Sequence, residues 1–336
     1  MKPKISVVMP VLNGRKFIGE AIQSIVDQTY RPVELVVVDD GSKDDTLDVV
    51  RAHSADLELK IVRHEKPMGI PVSMNDGLKQ STGELITFLD HDDAWLPQFL
   101  ATQAAYLERK PEVGMVHSDF QTIDVNGQIL EASVAACRNR TRPSGQVFRE
   151  LFMDSFIVGN SVLIRRECFT KLGLFDESLR WGDYHMWMRI ARHYRVDYVA
   201  AVLTKYRQHP SQSTRSSVDV HPFADSVALQ ALTKILDEYP EARQEIGEGA
   251  VARRRASLLF EHGYSWWGKR HFAHARVCLR EAMRLSPATP RYYVLYAATL
   301  LGPTIAFAAR DLWRLARETA SPRKSKPSGP TTGRAG

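Results

Sequence analysis

The run Glu84-Leu85-Ile86-Thr87-Phe88-Leu89 leads directly into Asp90-His91-Asp92-Asp93, and this junction constrains the chain more than any other feature. An apolar run of this length reads as a buried strand. Three carboxylates at its C-terminal end are costly there, because like charges repel and partial burial disfavours ionisation. Two arrangements relieve that cost. A hard divalent cation, Mn²⁺ or Mg²⁺, takes oxygen ligands of this kind and keeps positions for phosphate oxygens. Alternatively, Asp92 or Asp93 caps a helix that begins near Ala94. The triplet alone does not choose between them.

A second acidic pair follows a similar run. Val33-Glu34-Leu35-Val36-Val37-Val38 is β-branched in the manner of a buried strand. It ends in Asp39-Asp40-Gly41-Ser42, where Gly41 permits a sharp turn and Ser42 or Asp44 can cap the following helix. Asp39 and Asp40 either shape that turn or face a ligand. The first strand, Ile5 to Met9, enters Pro10-Val11-Leu12-Asn13-Gly14 and then a helix through Ala21, Ile22, Ile25 and Val26. A nicotinamide-type fold would put Gly-x-Gly-x-x-Gly at this turn. Its absence argues against a dehydrogenase, and Pro10 and Asn13 suggest a stiff loop against a planar base.

Strands alternate with helices, which predicts a parallel sheet covered on both faces. Leu59 to Val62 reads as a third strand, Pro71 to Leu78 as a helix and Val113 to Ser118 as a further strand. Asn126-Gly127 signals a hairpin turn. Helices are predicted near Phe148 to Met153 and Trp187 to Tyr194, and a late strand over Val196 to Leu203. Ligands of open α/β sheets sit beyond the carboxyl ends of the strands, so the acidic loops point toward one crevice.

In this order the segments resemble the family 2 glycosyltransferases over most of residues 4 to about 215. Ser6 to Gly14 resembles their opening nucleotide-binding strand, Glu34 to Ser42 their acidic turn and Gly83 to Asp93 their Asp-x-Asp metal motif. Ser161 to Arg166 and Gly173 to Glu177 resemble the acceptor-side segment, and Trp181 to Arg189 the segment carrying the catalytic base. The resemblance implies an α/β GT-A fold: a Rossmann-like, mostly parallel sheet flanked by helices, here with a C-terminal helical region. It also implies inverting, metal-dependent transfer of a sugar from a nucleotide-diphosphate sugar to an acceptor hydroxyl. The acceptor would be a carbohydrate or lipid-linked, in surface polysaccharide or glycolipid synthesis.

Roles carry over residue by residue. Asp183 becomes the general base, also readable as the N-cap of its helix. Asp92 becomes the direct ligand of Mn²⁺ or Mg²⁺, Asp90 contacts the metal or the ribose, and Asp93 is a third member. His209, in Tyr206-Arg207-Gln208-His209-Pro210, approaches the metal or the diphosphate. The nucleotide lies over Pro10, Val11 and Asn13, with Asp39 accepting hydrogen bonds from the base and Asp40, Asp90 and His91 beside it. Asn75 matches an Asn in the helix before the metal strand. The preceding position, often basic in the family, is Met74, which leaves Lys66 as a substitute diphosphate contact. Gly182 stands where an acidic residue is common. Asn160 and Trp181 line the acceptor cleft, because an aromatic face packs on a sugar ring. A sugar-phosphate nucleotidyltransferase would favour a Gly-rich phosphate loop near the first strand. A non-catalytic nucleotide-sugar-binding protein has little need for Asp39, Asp92 and Asp183 together.

The 336 residues suffice for a domain over 1–218, helices over 219–320 and a disordered tail over 321–336. Cys137, Cys168 and Cys278 form no Cys-x-x-Cys pair, which disfavours a disulfide scaffold and fits a reducing compartment. The N-terminal apolar run stops at Asn13 and reads as a strand, not a signal peptide. The net charge of +6 is mild, and no nucleic-acid motif accompanies Arg138, Arg140 and Arg142. Nucleic acid is therefore not expected as a partner. Ala256 to Leu285 is spaced like a tetratricopeptide hairpin, with Gly268, Ala275, Ala282 and Pro287 at its marker positions. One such unit is too short for a solenoid. Tyr292 to Ala309 carries no formal charge, but Gly302-Pro303 interrupts it, which disfavours a membrane span. An interfacial segment followed by Arg310, Arg314 and Arg317, or a buried helical hairpin, both fit. The expected location is cytoplasmic, at the inner face of the membrane.

Overall fold

A computed structural model describes residues 2–137, 142–212 and 226–300 of the chain. The chain divides into two compact units, residues 1–254 and 255–336. The boundary anticipated at 218, the tail over 321–336 and Arg310, Arg314 and Arg317 lie outside the described residues. So do Arg138 and Arg140.

The strands of the first unit form one nine-stranded sheet. They are β1 (Ile5–Val11), β2 (Val33–Asp39), β3 (Glu58–Arg63), β4 (Leu85–Phe88), β5 (Ala94–Trp95), β6 (Val113–Ile123), β7 (Ile129–Glu131), β8 (Val162–Arg165) and β9 (Arg195–Arg207). Their order is β3-β2-β1-β4-β8-β6-β9-β5, with β7 beside β6. The block β3-β2-β1-β4 is parallel throughout. β8 then runs antiparallel to both β4 and β6, while β9 is parallel to β6. The helices of this unit are α1 (Ile18–Val26), α2 (Thr46–Ala52), α3 (Ile70–Gln80), α4 (Phe99–Arg109), α5 (Val134–Cys137), α6 (Phe148–Met153), α7 (Arg166–Leu172), α8 (Asp183–His193), α9 (Val227–Glu238) and α10 (Ala242–Ile246). α9 and α10 thus belong with the sheet rather than with the helices that follow. Arg192 of α8 pairs with Glu241 and Glu245, and His185 and Arg189 approach Glu238.

β1, β2 and β4 are buried from end to end, which explains why their sequences are almost continuously apolar. Glu34, the second residue of β2, is a charged exception. Burial opposes its charge, but Lys60, Ser6 Oγ and the Thr82 N–H and hydroxyl all bond to it. These partners outweigh burial and hold its carboxyl well below the usual carboxylate range. α1 buries Ile18, Ala21, Ile22 and Ile25 on one face, each isoleucine contributing roughly 1.5–3 kcal/mol. α3 lies close on β1 because residue 77 is glycine. A Cβ there would stand 2.3 Å from Val8 Cγ1.

The structure corrects three local expectations. No helix begins near Ala94: Ala94 and Trp95 form β5 against Thr204 and Lys205 of β9, and α4 starts at Phe99. β6 and β9 are longer than their apolar cores, because polar residues such as Thr122 and Thr204 are also covered. That extension carries β9 to Arg207, beside the acidic loop after β4.

The remaining helices are α11 (Glu248–Gly268), which crosses the boundary, α12 (Phe272–Leu285) and α13 (Pro290–Ala298). Trp266, Trp267, Ala275, Cys278, Leu279 and Leu295 form the core of the second unit. The close helix contact is at Gly263, where a Cβ would lie 3.2 Å from Cys278 Cβ. Nothing comes that near Gly268, the marker position expected from the repeat. No described helix is long and apolar enough to cross a membrane.

Candidate active site

The parallel strands β1, β2 and β4 deliver their C-terminal loops to one edge of the sheet, and two adjoining cavities open there. The first, of about 570 Å³, is bordered by Pro10, Val11 and Asn13 after β1, Asp40 after β2, Asp90, His91 and Asp92 after β4, and His209 after β9. The second, of about 380 Å³, is bordered by Asn160, Trp181 and Asp183, with apolar walls from Met74, Phe88 and Phe120. Ile70, Asp90 and Tyr206 border both. Asp90 therefore stands at the junction.

Asp90, Asp92 and Asp93 each offer an oxygen within 4.8 Å of the others. Asp90 is open to the cavity, yet its lost hydration, followed by the charges of Asp92 and Asp183, pushes its pKa up to about 7. Asp93 is enclosed, and burial first, then Asp92 and Asp90, raises its pKa well above the ordinary value. Both Asp93 oxygens are already engaged: Arg207 N donates to one at 2.8 Å and Asn160 Nδ2 to the other at 2.5 Å. Asp93 thus braces the loop. His209 Nε2 lies 2.9 Å from Asp92 Oδ2, and its Nδ1 lies 2.9 Å from Ser211 Oγ. His209 is buried, not a surface histidine. Carboxylates crowded at a site where burial, and then the neighbouring charges, disfavour the ionised form of Asp90 and Asp93 form a donor set that a hard divalent cation would relieve. Asp90 and Asp92 are residues that could hold it, with His209 against Asp92.

Asp183 is the first residue of α8. Its predecessor Gly182 occupies the N-cap position, so the expected capping role falls to its neighbour. The Tyr184 N–H donates to Asp183 Oδ1 at 2.8 Å. Burial nevertheless raises the Asp183 pKa, overriding that bond and the helix dipole, both of which favour the anion.

Other anticipated residues do different work. Asp39 lines neither cavity: Ser42 N donates to its Oδ1 at 2.9 Å, and its Oδ2 is 3.4 Å from Arg63 Nε. Asp40 borders the first cavity while accepting bonds from Met68 N and Gly69 N and facing His64 Nδ1, which shapes the approach to α3. Asn75 is buried and fully committed. Its Nδ2 donates to Phe175 O and Glu177 Oε1, and its Oδ1 accepts from Phe175 N. It ties α3 to the segment before α8 and borders neither cavity. Lys16, rather than Lys66, borders the first cavity.

Arg207 escaped the sequence reading of the site. It is buried, and its Nε donates to Asp92 O at 2.8 Å, with further bonds to Asp124 O and Glu20 Oε2. Its guanidinium carbon lies 4.8 Å from the Phe17 ring centre. The only hint in the sequence is its position two residues before His209.

Comparisons with known proteins place the chain in a family. The profile of the family described as Glycosyl transferase family 2 matches residues 6–173. An uncharacterized glycosyltransferase of Rickettsia prowazekii (strain Madrid E) is 30% identical over 237 residues, covering 69% of this chain and 73% of that protein. The UDP-Glc:alpha-D-GlcNAc-diphosphoundecaprenol beta-1,3-glucosyltransferase WfgD of Escherichia coli is 29% identical over 216 residues, covering 63% and 79%. Crystalline S. aureus TarS in complex with UDP-GlcNAc has a TM-score of 0.63 at 20% identity, covering 92% of this chain and 87% of TarS. The mannosyltransferase PcManGT from Pyrobaculum calidifontis, in complex with GDP-Man and Mn²⁺, has a TM-score of 0.59 at 21% identity, covering 94% and 88%. At these identities the structural likeness speaks for the shared GT-A fold alone.

Proposed function

The chain belongs to the family 2 glycosyltransferases, and from that premise we propose that it moves a sugar, with inversion and with a divalent cation, from a nucleotide-diphosphate sugar to an acceptor hydroxyl. The observation that carries this reading is the pair of cavities meeting at Asp90, with Asp92 and His209 on one side and Asp183 on the other. Such transfer passes through an oxocarbenium-like state. The departing diphosphate needs its growing charge stabilised, and the incoming hydroxyl must lose a proton.

The first cavity receives the nucleotide over Pro10, Val11 and Asn13, with Asp40 and His91 alongside. Asp90, Asp92 and His209 would hold a divalent cation, which would supply Lewis-acid stabilisation of the leaving diphosphate. Asp93 and Asn160 hold the acidic loop in place through their mutual hydrogen bond. In the second cavity, Asp183 accepts the proton of the acceptor hydroxyl. Its raised pKa makes it a better proton acceptor than an ordinary carboxylate. Asn160 and Trp181 form the acceptor side. The donors bound by TarS and PcManGT, and the Mn²⁺ with PcManGT, support a nucleotide-sugar donor and a cation for this chain. The lipid-diphosphate acceptor in the name of WfgD supports a lipid-linked acceptor, in surface polysaccharide or glycolipid synthesis.

The test is Asp183→Asn. Thermal stabilisation by UDP or GDP with Mn²⁺ should persist, because the first cavity is intact, while transfer to acceptor should fall by several orders of magnitude. Turnover at the wild-type rate would overturn the assignment of the base.

A further inference from the structure

We propose that the second unit docks on an anionic lipid surface through an outward apolar stripe on α13; the inference rests on the lipid-linked acceptor reading for its purpose. Residues 255–336 contain fourteen Lys and Arg against four Asp and Glu, a net charge of +10. The whole chain carries +6, so residues 1–254, which hold the candidate active site, carry −4. Basic charge is therefore concentrated in the sequence of the second unit.

The stripe is an inversion of ordinary helix patterning. α13 turns Tyr292 and Leu295 inward. Its outward positions should then be polar. Instead they are Tyr293, Val294 and Ala297, continued by Leu300 in the turn that follows. Val294 is 69% exposed and Leu300 63%. Positions 293, 297 and 300 recur at helical spacing, so they share one face. Beyond Arg291, the described part of this segment has no charged side chain.

Arg291, at the start of α13, and the aromatic rings it touches adjoin the stripe. Arg291 lies with its guanidinium carbon 4.8 Å from the Phe260 ring centre and 5.3 Å from that of Tyr292. Phe260 in turn contacts Tyr264, which is 48% exposed. Lys269, Arg270 and Arg280 are also exposed on this unit. Tyrosines with an apolar body and a polar tip, set among cationic side chains, suit the headgroup level of a bilayer. Each cation near an anionic surface adds roughly 1 kcal/mol. A soluble polyanion such as nucleic acid would meet the charge and leave Val294 and Leu300 in water, which is why a lipid surface is the better fit.

The full-length protein should be sedimented with phosphatidylcholine vesicles and with vesicles containing roughly one-third phosphatidylglycerol. Binding is expected only to the second, weakening about tenfold when salt shortens the screening length to a few ångströms. Val294→Glu, at an exposed position that does not disturb the core, should lower partitioning about tenfold at low salt. Equal binding to neutral vesicles, no binding to either, or a Val294→Glu variant that binds like wild type would each overturn the proposal. The last outcome would point to a polyanion site or to residues 301–336 as the contact. Stabilisation by UDP and Mn²⁺, measured on the same samples without vesicles, reports separately on the glycosyltransferase reading. Loss of one signal with retention of the other tells the two failures apart.

Discussion

Arg207→Met asks whether the acidic loop is held in shape from behind. The Arg207 side chain is only 1% exposed, and its counter-charge Glu20 is 48% exposed. The guanidinium donates to Asp92 O at 2.8 Å, Asp124 O at 3.2 Å and Glu20 Oε2 at 2.5 Å. Methionine keeps the packing against Phe17 and loses all three bonds. The backbone bond from residue 207 to Asp93 survives. Glu20 rehydrates at little cost and Asp124 O keeps its bond from Gly127 N, so the loss concentrates on the Asp92 carbonyl. An unsatisfied buried acceptor costs about 1–3 kcal/mol. We therefore expect about 1–3 kcal/mol of destabilisation. In a domain of this size each kcal/mol lowers Tm by about 2–4 °C, so Tm falls by roughly 6 °C. Asp92 sits on the loosened loop, so the stabilisation gained from Mn²⁺ should shrink as well. Glu20→Gln keeps a neutral hydrogen bond and should cost only about 1 kcal/mol. Thermal denaturation with and without Mn²⁺ reads both quantities. A variant within about 2 °C of wild type, with an unchanged Mn²⁺ increment, would refute the reasoning.

Three further outcomes are expected. Asp92→Asn removes a charge from a repelling cluster, so the metal-free protein should melt higher while calorimetric titration with Mn²⁺ shows little heat of binding. Glu34 has a folded-state pKa depressed below its ordinary value of 4.5. Its contribution is complete above that pH and is lost as pH falls below it. The Tm difference between wild type and Glu34→Gln should therefore be largest near neutrality and close on acidification, and a pH-independent difference would contradict this. Gly77→Ala places a Cβ 2.3 Å from Val8 Cγ1 and 3.2 Å from Val38 Cγ2, which should cost about 1–3 kcal/mol in denaturant unfolding. Adding Val8→Ala should recover part of the loss.

The readable part of this protein was local. A short, near-continuous apolar run, β-branched and bounded by polar turn residues, reads as a covered strand. β1, β2 and β4 were therefore legible, as were the loops carrying Asp40, Asp90, Asp92 and His209. Asp183 was legible from its segment. The sequence could not show what each polar atom would meet. Asn75 and Asp93 look like ligands until their partners at Phe175, Glu177, Asn160 and Arg207 are seen. Ala94 looks helical until β9 pairs with it.

Composition and periodicity by themselves determined the layered α/β architecture and the acidic edge, because burial of strands and exclusion of charge act on neighbours along the chain. Tertiary structure alone decided which carboxylates stay open to a cavity and which become braces. It also joined Glu20 to Arg207 across 187 positions of sequence. Hydrogen-bond partners that distant leave no periodic trace, and desolvation depends on everything that closes around a group.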